Sequence, residues 1–268
     1  HFTTFDHDNV GWGSGGMDKA GGGGSVHNVG GTMVLHEVSF TACQIGNGCK
    51  NYASPSYDSY GGAVKSHGGM LNLTSSTFMF NYAKNGGALA LSGGAVAFVS
   101  DAVFHNNTGD DHIKQDSSYD GPNVEDQRFV LPFFSPYRGC HGVGNGGAIH
   151  ASGEKTSVRI MGSFFYGNRA GAHGKHDTGE GGAMYVGDGA AARIIGSTFV
   201  GNDATRSAGV HVKNSAALVT IESSTFERNQ VHPMRCTFGD DAGGTEPLFI
   251  RFDVGWSARQ HHCCGNNR

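Results

Sequence analysis

Hydrophobic positions between residues 23 and 230 recur on two scales, one of two residues and one of about 25, the second within the range of solenoid repeats. Six copies align on a phenylalanine: Phe40, Phe78, Phe104, Phe165, Phe199 and Phe226. Five positions earlier stand Leu35, Leu73, Val99, Ile160, Ile194 and Ile221, and seven earlier Met33, Leu71, Ala97, Val158, Ala192 and Val219. The column between them is Val34, Asn72, Phe98, Arg159, Arg193 and Thr220, the mixed chemistry of an outer face. A period of two over such a short run predicts a strand with one buried side. Three positions before the phenylalanine come turn formers, Glu37, Ser75, Asp101, Gly162, Gly196 and Ser223. Each copy therefore reads as strand, turn, strand, turn, with no helical period.

The long period dictates the architecture. A small-residue pair opens each copy 17 to 19 positions before the phenylalanine, at Gly23-Gly24, Gly61-Gly62, Gly86-Gly87, Gly146-Gly147, Gly181-Gly182 and Ala208-Gly209. Three positions after it comes asparagine in five copies, Asn81, Asn107, Asn168, Asn202 and Asn229, with Cys43 in the first. A copy this short cannot bury its own apolar side, so copies must stack, and like residues then form ladders at the ~4.8 Å spacing of paired strands. Buried asparagines need partners, which a ladder of side-chain amides supplies. The prediction is an all-β parallel β-helix of about six to eight rungs. The glycine-rich segment 1–22 contains Thr4-Phe5 followed by Asp8 and Asn9, which reads as the end of one more repeat, a partial rung or assembly arm. Residues 23–230 form the β-helix, with insertions at 44–60, 109–145 and 169–180. Residues 231–268 are a cysteine-containing cap with a strand-like run from Leu248 to Val254. All the insertions follow the asparagine turn and should emerge from one corner.

The segments Gly61 to Val64, Gly86 to Leu89, Gly146 to Ile149 and Gly181 to Met184, paired with phenylalanine-x-x-asparagine, resemble the repeats of chlamydial polymorphic outer membrane proteins and related right-handed β-helix repeat proteins. The resemblance covers about residues 23–230. It implies a right-handed solenoid on a cell exterior, often serving adhesion.

Composition narrows the function classes. The 45 glycines fall in pairs and quartets, which excludes collagen. Charged residues make up 16% and the formal net charge is −4, without the basic stripe that a nucleic-acid partner demands. No apolar run reaches the length of a membrane span. The six cysteines, Cys43, Cys49, Cys140, Cys236, Cys263 and Cys264, suit disulfides in an oxidising, extracellular setting, with Cys43 and Cys49 spaced for a local loop bridge. Zinc is the competing use, although the spacing lacks the short ligand pairs of zinc sites.

Candidate sites are few. Arg159 beside Arg193 in the outer column offers a contact for a carboxylated sugar, with Met161 and Ile195 rather than acids in the adjoining column. Two carboxylates for glycoside cleavage have to come from Asp101 with Asp110 or Asp111. The clusters His173–Asp177 and His261–Cys264, and the acids from Asp110 to Asp120, are the places where a metal has any ligands, but none has an ordered ligand pattern, so neither a metal nor a cofactor is expected. Sequons mark Asn72 and Asn106 as acceptors of glycosylation in a secreted eukaryotic protein. Phe98, Met161 and Ile195 on the outer face, with Phe133, Phe134 and Tyr137 in the longest insertion, form an apolar surface for a partner. The expected function is a non-enzymatic, secreted structural or adhesive solenoid that self-associates head to tail into a filament or coat, with surface glycans or host or cell-surface proteins as further partners. The alternative is a polysaccharide-active enzyme, a lyase, epimerase or hydrolase, or a carbohydrate-binding module.

Overall fold

A computed structural model of the chain describes residues 3–6, 9–10, 24–45, 59–110, 143–171 and 178–231. Every regular element among them is a strand, and the strands pair in parallel. One rung shows the plan. Leu89–Ser92, Val96–Ser100, Val103–His105 and Thr108–Gly109 lie on four successive faces, named sheets I to IV here. Sheets I and II each stack six strands, and sheets III and IV seven. The extra pair is the half-rung Thr3–Asp6 and Asn9–Val10, which precedes six complete rungs. The chain is thus a parallel β-helix.

The phenylalanine alignment holds residue for residue. Phe5, Phe40, Phe78, Phe104, Phe165, Phe199 and Phe226 are successive register partners in sheet III. From Phe40 to Phe226 the ring centroids are 4.9, 4.9, 4.8, 4.5 and 4.6 Å apart, with planes within 16° of parallel. Rings held at strand spacing have no choice but to stack, and burial of each contributes about 1.5–3 kcal/mol. Leu71, Leu73, Val99, Val158, Ile160 and Ile194 fill the core from sheet II, as their alternation predicts.

From Asn81 to Asn202 the asparagine ladder bonds each member to the next. Asn168 Oδ1 accepts from both the backbone N–H (3.0 Å) and the side-chain Nδ2 (2.9 Å) of Asn107, and Asn168 Nδ2 donates to Phe104 O at 2.9 Å. The same three bonds recur with Asn107, Asn202 and Asn229 as acceptor. Cys43 takes the first place in this ladder, a buried thiol with Sγ 3.6 Å from Thr41 O. Its side chain is buried in the core, and Cys49, the partner considered for a local loop bridge, lies outside the described residues. No disulfide joins the described residues, and Cys49, Cys140, Cys236, Cys263 and Cys264 lie outside them.

A second ladder runs along the corner between sheets II and III. Glu37, Ser75, Asp101, Gly162, Gly196 and Ser223 share φ values of 49–56°, the left-handed turn their chemistry predicts. Ser76, Ser163, Ser197 and Ser224 hold that turn: each hydroxyl donates back across it to a carbonyl and accepts an N–H from the preceding rung. The second glycine of each opening pair has a separate cause. A Cβ on Gly62, Gly87 or Gly147 would collide with the carbonyl oxygen of the next rung's glycine.

Three details differ from the sequence reading. Each rung has four strands rather than two. The sheet I strands are buried on both faces, as in Leu89-Ala90-Leu91 and Met184-Tyr185-Val186, so alternation disappears, and the two-residue strands of sheet IV are too short to show a period. Second, Gln44–Ile45, Thr108–Gly109 and Arg169–Ala170 belong to sheet IV, so the insertions begin after sheet IV, at its corner with sheet I. The chain returns through Val143–Asn145 and Thr178–Glu180, which pair with each other as a small fifth sheet. Third, the sixth opening pair is Ser207-Ala208, one residue earlier than the glycine pattern places it. Gly181 and Gly182 donate to Arg206 O and Ser207 O, and Ser207 has a φ of 53°.

Candidate functional site

The corner where the insertions leave is also where polar side chains converge. Immediately before each opening pair stand Tyr60, Asn85, Asn145, Glu180 and Arg206, bridged one to the next along the helix axis. They lie over the outward column of sheet I, which reads His27, Lys65, Ala90, His150, Tyr185 and His211 in register. Ala90 leaves room in this column, and the Tyr60 ring occupies it, 5.3 Å from Lys65 Nζ and 5.6 Å from the His150 ring. Beyond it His150 stacks on Tyr185 at 4.9 Å and 1°, and Tyr185 on His211 at 5.8 Å. Lys65, His150 and Tyr185 are buried although they point away from the core.

Glu180 anchors the C-terminal end of this stripe. Its carboxylate is nearly buried and takes Lys213 Nζ at 2.9 Å, Arg206 at 3.1 Å and His211 Nε2 at 3.8 Å. Burial pushes the carboxyl pKa up, but the Lys213 hydrogen bond and the nearby His211, Lys213 and Arg206 outweigh it and hold it below the usual range. His211 moves down, because burial outweighs the pull of Glu180 and is reinforced by Lys213 and Arg206. Burial raises the Tyr185 phenol well above its ordinary value, with Asp188 and Glu180 adding to the effect. At neutral pH the stripe therefore holds a carboxylate, a neutral imidazole and a neutral phenol.

These shifts set the pH response. An unfolded chain protonates His211 near 6.5, above its folded value, so its contribution is full above pH 6.5 and is lost as pH falls below it. His27 and His105 are lowered by burial and act in the same direction. Glu180 adds a further loss as pH falls through its depressed folded value. Melting temperature is expected to fall between pH 7.5 and 5.5, and His211→Gln to flatten part of that slope. Parallel slopes for the two proteins would refute the assignment to His211.

The residues singled out in the sequence are distributed as follows. Arg159 and Arg193 are register partners on sheet II, beside a groove of about 280 Å³ lined also by Phe98, Ser157 and Ala191. The arrangement is not a clamp of two equal arginines. Glu222, in the same column as Met161 and Ile195, takes Arg193 in a fork at 3.0 and 3.1 Å. Phe98 and Met161 are 43% and 40% exposed and Ile195 is half-buried, while Phe133, Phe134 and Tyr137 lie outside the described residues. The apolar surface also extends onto sheet III, where Val103, Phe164 and Tyr166 are exposed, and onto Phe80 in the turn after it, with His105 between Phe80 and Tyr166 at 5.7 and 5.0 Å. The columns on either side of the stacked phenylalanine carried that signal.

Asp101 stands at the corner of sheets II and III, whereas Asp110 is buried after sheet IV, so two sheets separate the carboxylates considered for hydrolysis. Asp111, Asp116, Asp120, His173, His176, Asp177, His261 and His262 lie outside the described residues, among which no group of three or more potential metal ligands occurs. Asn72 is on the outer face of sheet II and Asn106 in the turn between sheets III and IV, with φ of 52°. No helix among the described residues is long and apolar enough to cross a membrane.

No family model, curated protein or solved structure matches this chain.

Proposed function

We propose that this chain is an extracellular structural and adhesive β-solenoid, a subunit whose copies extend head to tail. The observation that carries this is the pair of strand edges at the first and last described rungs. In each rung the ladder asparagine's backbone N–H and one side-chain N–H go to the next asparagine, and at Asn229 no acceptor for them is found among the described residues. The last strand of sheet IV, Gln230–Val231, is exposed. Among the described residues, the half-rung Thr3–Asp6 and Asn9–Val10 presents strands in sheets III and IV and none in sheets I and II.

The two ends are complementary. Ala208 fills the position that is glycine in preceding rungs, so a further strand in register at that corner of sheet I would press a carbonyl against its Cβ. Among the described residues, sheets III and IV carry no such block. A second copy therefore docks its half-rung on Thr225–Glu227 and Gln230–Val231, and a heterologous contact of this kind propagates. The resemblance to surface-displayed repeats and the even cysteine count support the extracellular setting, and the apolar outer face supports adhesion.

Electron microscopy at rising protein concentration tests assembly. End-to-end rods of graded length are expected, and removal of residues 1–10 should leave single particles. Strictly monomeric particles of the intact chain at high concentration would overturn the proposal.

A further inference from the structure

We propose that the sheet II groove binds an acidic glycan, with Phe98 as the stacking platform and Arg159 as the contact to the sugar's anionic group. This rests on the adhesive reading and supplies its ligand class. In register the outer column runs Asn72, Phe98, Arg159, Arg193 and Thr220, one rung apart at ~4.8 Å. The column beside it runs Val96, Ser157, Ala191 and Leu218. Ser157 and Ala191 are small, so the surface drops over these two rungs beside the arginines, between Val96 and Leu218, and leaves a shallow depression.

The two arginines have different tasks. Arg193 is held by the Glu222 fork, which fixes its guanidinium as one wall. Arg159 is exposed and has no acid within ion-pair distance among the described residues, so its planar fork of donors is available to a carboxylate or sulfate. Apolar lining strengthens such a charge-assisted bond relative to open water. Phe98, one rung away, presents an exposed aromatic ring to the apolar C–H face of a pyranose. An aromatic ring and a guanidinium at one-rung spacing match a sugar that carries an apolar face and an anionic edge.

The test is calorimetric titration of the intact protein with oligogalacturonate, with a sulfated oligosaccharide, and with a neutral galactan of equal length. Either anionic probe should bind and the neutral one should bind at least about tenfold more weakly, with affinity falling as salt rises. Whichever anionic probe binds more tightly identifies the group that Arg159 holds. Arg159→Gln should weaken anionic binding about tenfold or more, the effect of losing one charge-assisted contact, with an unchanged melting temperature. Phe98→Ala should weaken anionic and neutral probes alike. Equal binding of neutral and anionic probes, an unaffected Arg159→Gln protein, or capture of a protein partner on this face with no sugar bound would each overturn the proposal. Assembly in the microscope with no sugar binding would reject the groove and leave the solenoid-subunit reading standing. Sugar binding by strictly monomeric particles would do the reverse.

Discussion

Replacing Phe165 by alanine is expected to cost about 3–5 kcal/mol, a large share of the roughly 5–15 kcal/mol that holds a domain together. Phe165 is fully buried between Phe104 at 4.8 Å and Phe199 at 4.5 Å, both rings within 5° of parallel. The substitution removes the transfer energy of a large ring and leaves a cavity bounded above and below by rings that strand pairing holds in place. Those rings cannot move closer, because their spacing is that of the backbone ladder, so the cavity persists. Two stacking contacts, about 0.5–1.5 kcal/mol each, disappear with it. Phe226 gives the internal comparison: it is only partly buried and stacks on Phe199 alone among the described residues. Phe226→Ala should therefore cost about half as much. Urea unfolding followed by circular dichroism measures both, and equal losses at the two positions would contradict a continuous stack as the source of stability.

Replacing Asn168 by alanine should be nearly as damaging, for a polar reason. Alanine deprives the Asn107 N–H and Nδ2 of their acceptor and Phe104 O of its side-chain donor, all in a place closed to water. Each buried group left without a partner costs about 1–3 kcal/mol, so a total of about 3 kcal/mol or more is expected. Asn168→Asp separates the two roles of the amide. Its oxygens still accept from Asn107, but the donor to Phe104 O is lost and the carboxylate is buried, so it should favour protonation. This variant should be least stable at neutral pH and recover toward mildly acidic pH relative to wild type, whereas Asn168→Ala should show no such recovery. A pH-independent deficit in Asn168→Asp would mean that water reaches the ladder.

Much of the scaffold was legible because stacking copies one residue's environment onto the next. A column such as Phe78, Phe104, Phe165 and Phe199 repeats one packing problem, and the chain repeats one solution to it. The serine ladder was legible in the same way, at the second position before the phenylalanine, but serine beside turn formers looks like more turn chemistry until its hydroxyl is seen to join two rungs. Sheet I was hidden for the opposite reason. Its outward column is covered by Tyr60 and Glu180 from the preceding corner, so both faces are buried and the alternation is erased.

The candidate sites were harder to read, because they depend on pairs brought together between rungs. Arg193 and Glu222 are 29 residues apart, and only the register places them one rung apart in neighbouring columns. That pairing makes the two arginines unequal, with Arg193 held in the Glu222 fork. Glu180 enters from an insertion and meets Arg206, His211 and Lys213 from the next rung, a convergence for which no spacing along the chain gives a signal.

By itself the sequence determined the parallel β-helix, the phenylalanine and asparagine ladders, the inward columns of sheet II and the partial rung at the start. Each of these follows from periodic burial and from the need of like residues to stack. Tertiary structure alone decided the four-sheet rung, the inward thiol of Cys43, the polar stripe over sheet I and the unequal roles of the two arginines. These depend on what lies over a face or across a rung, and that is set by how the chain winds rather than by the order of its residues.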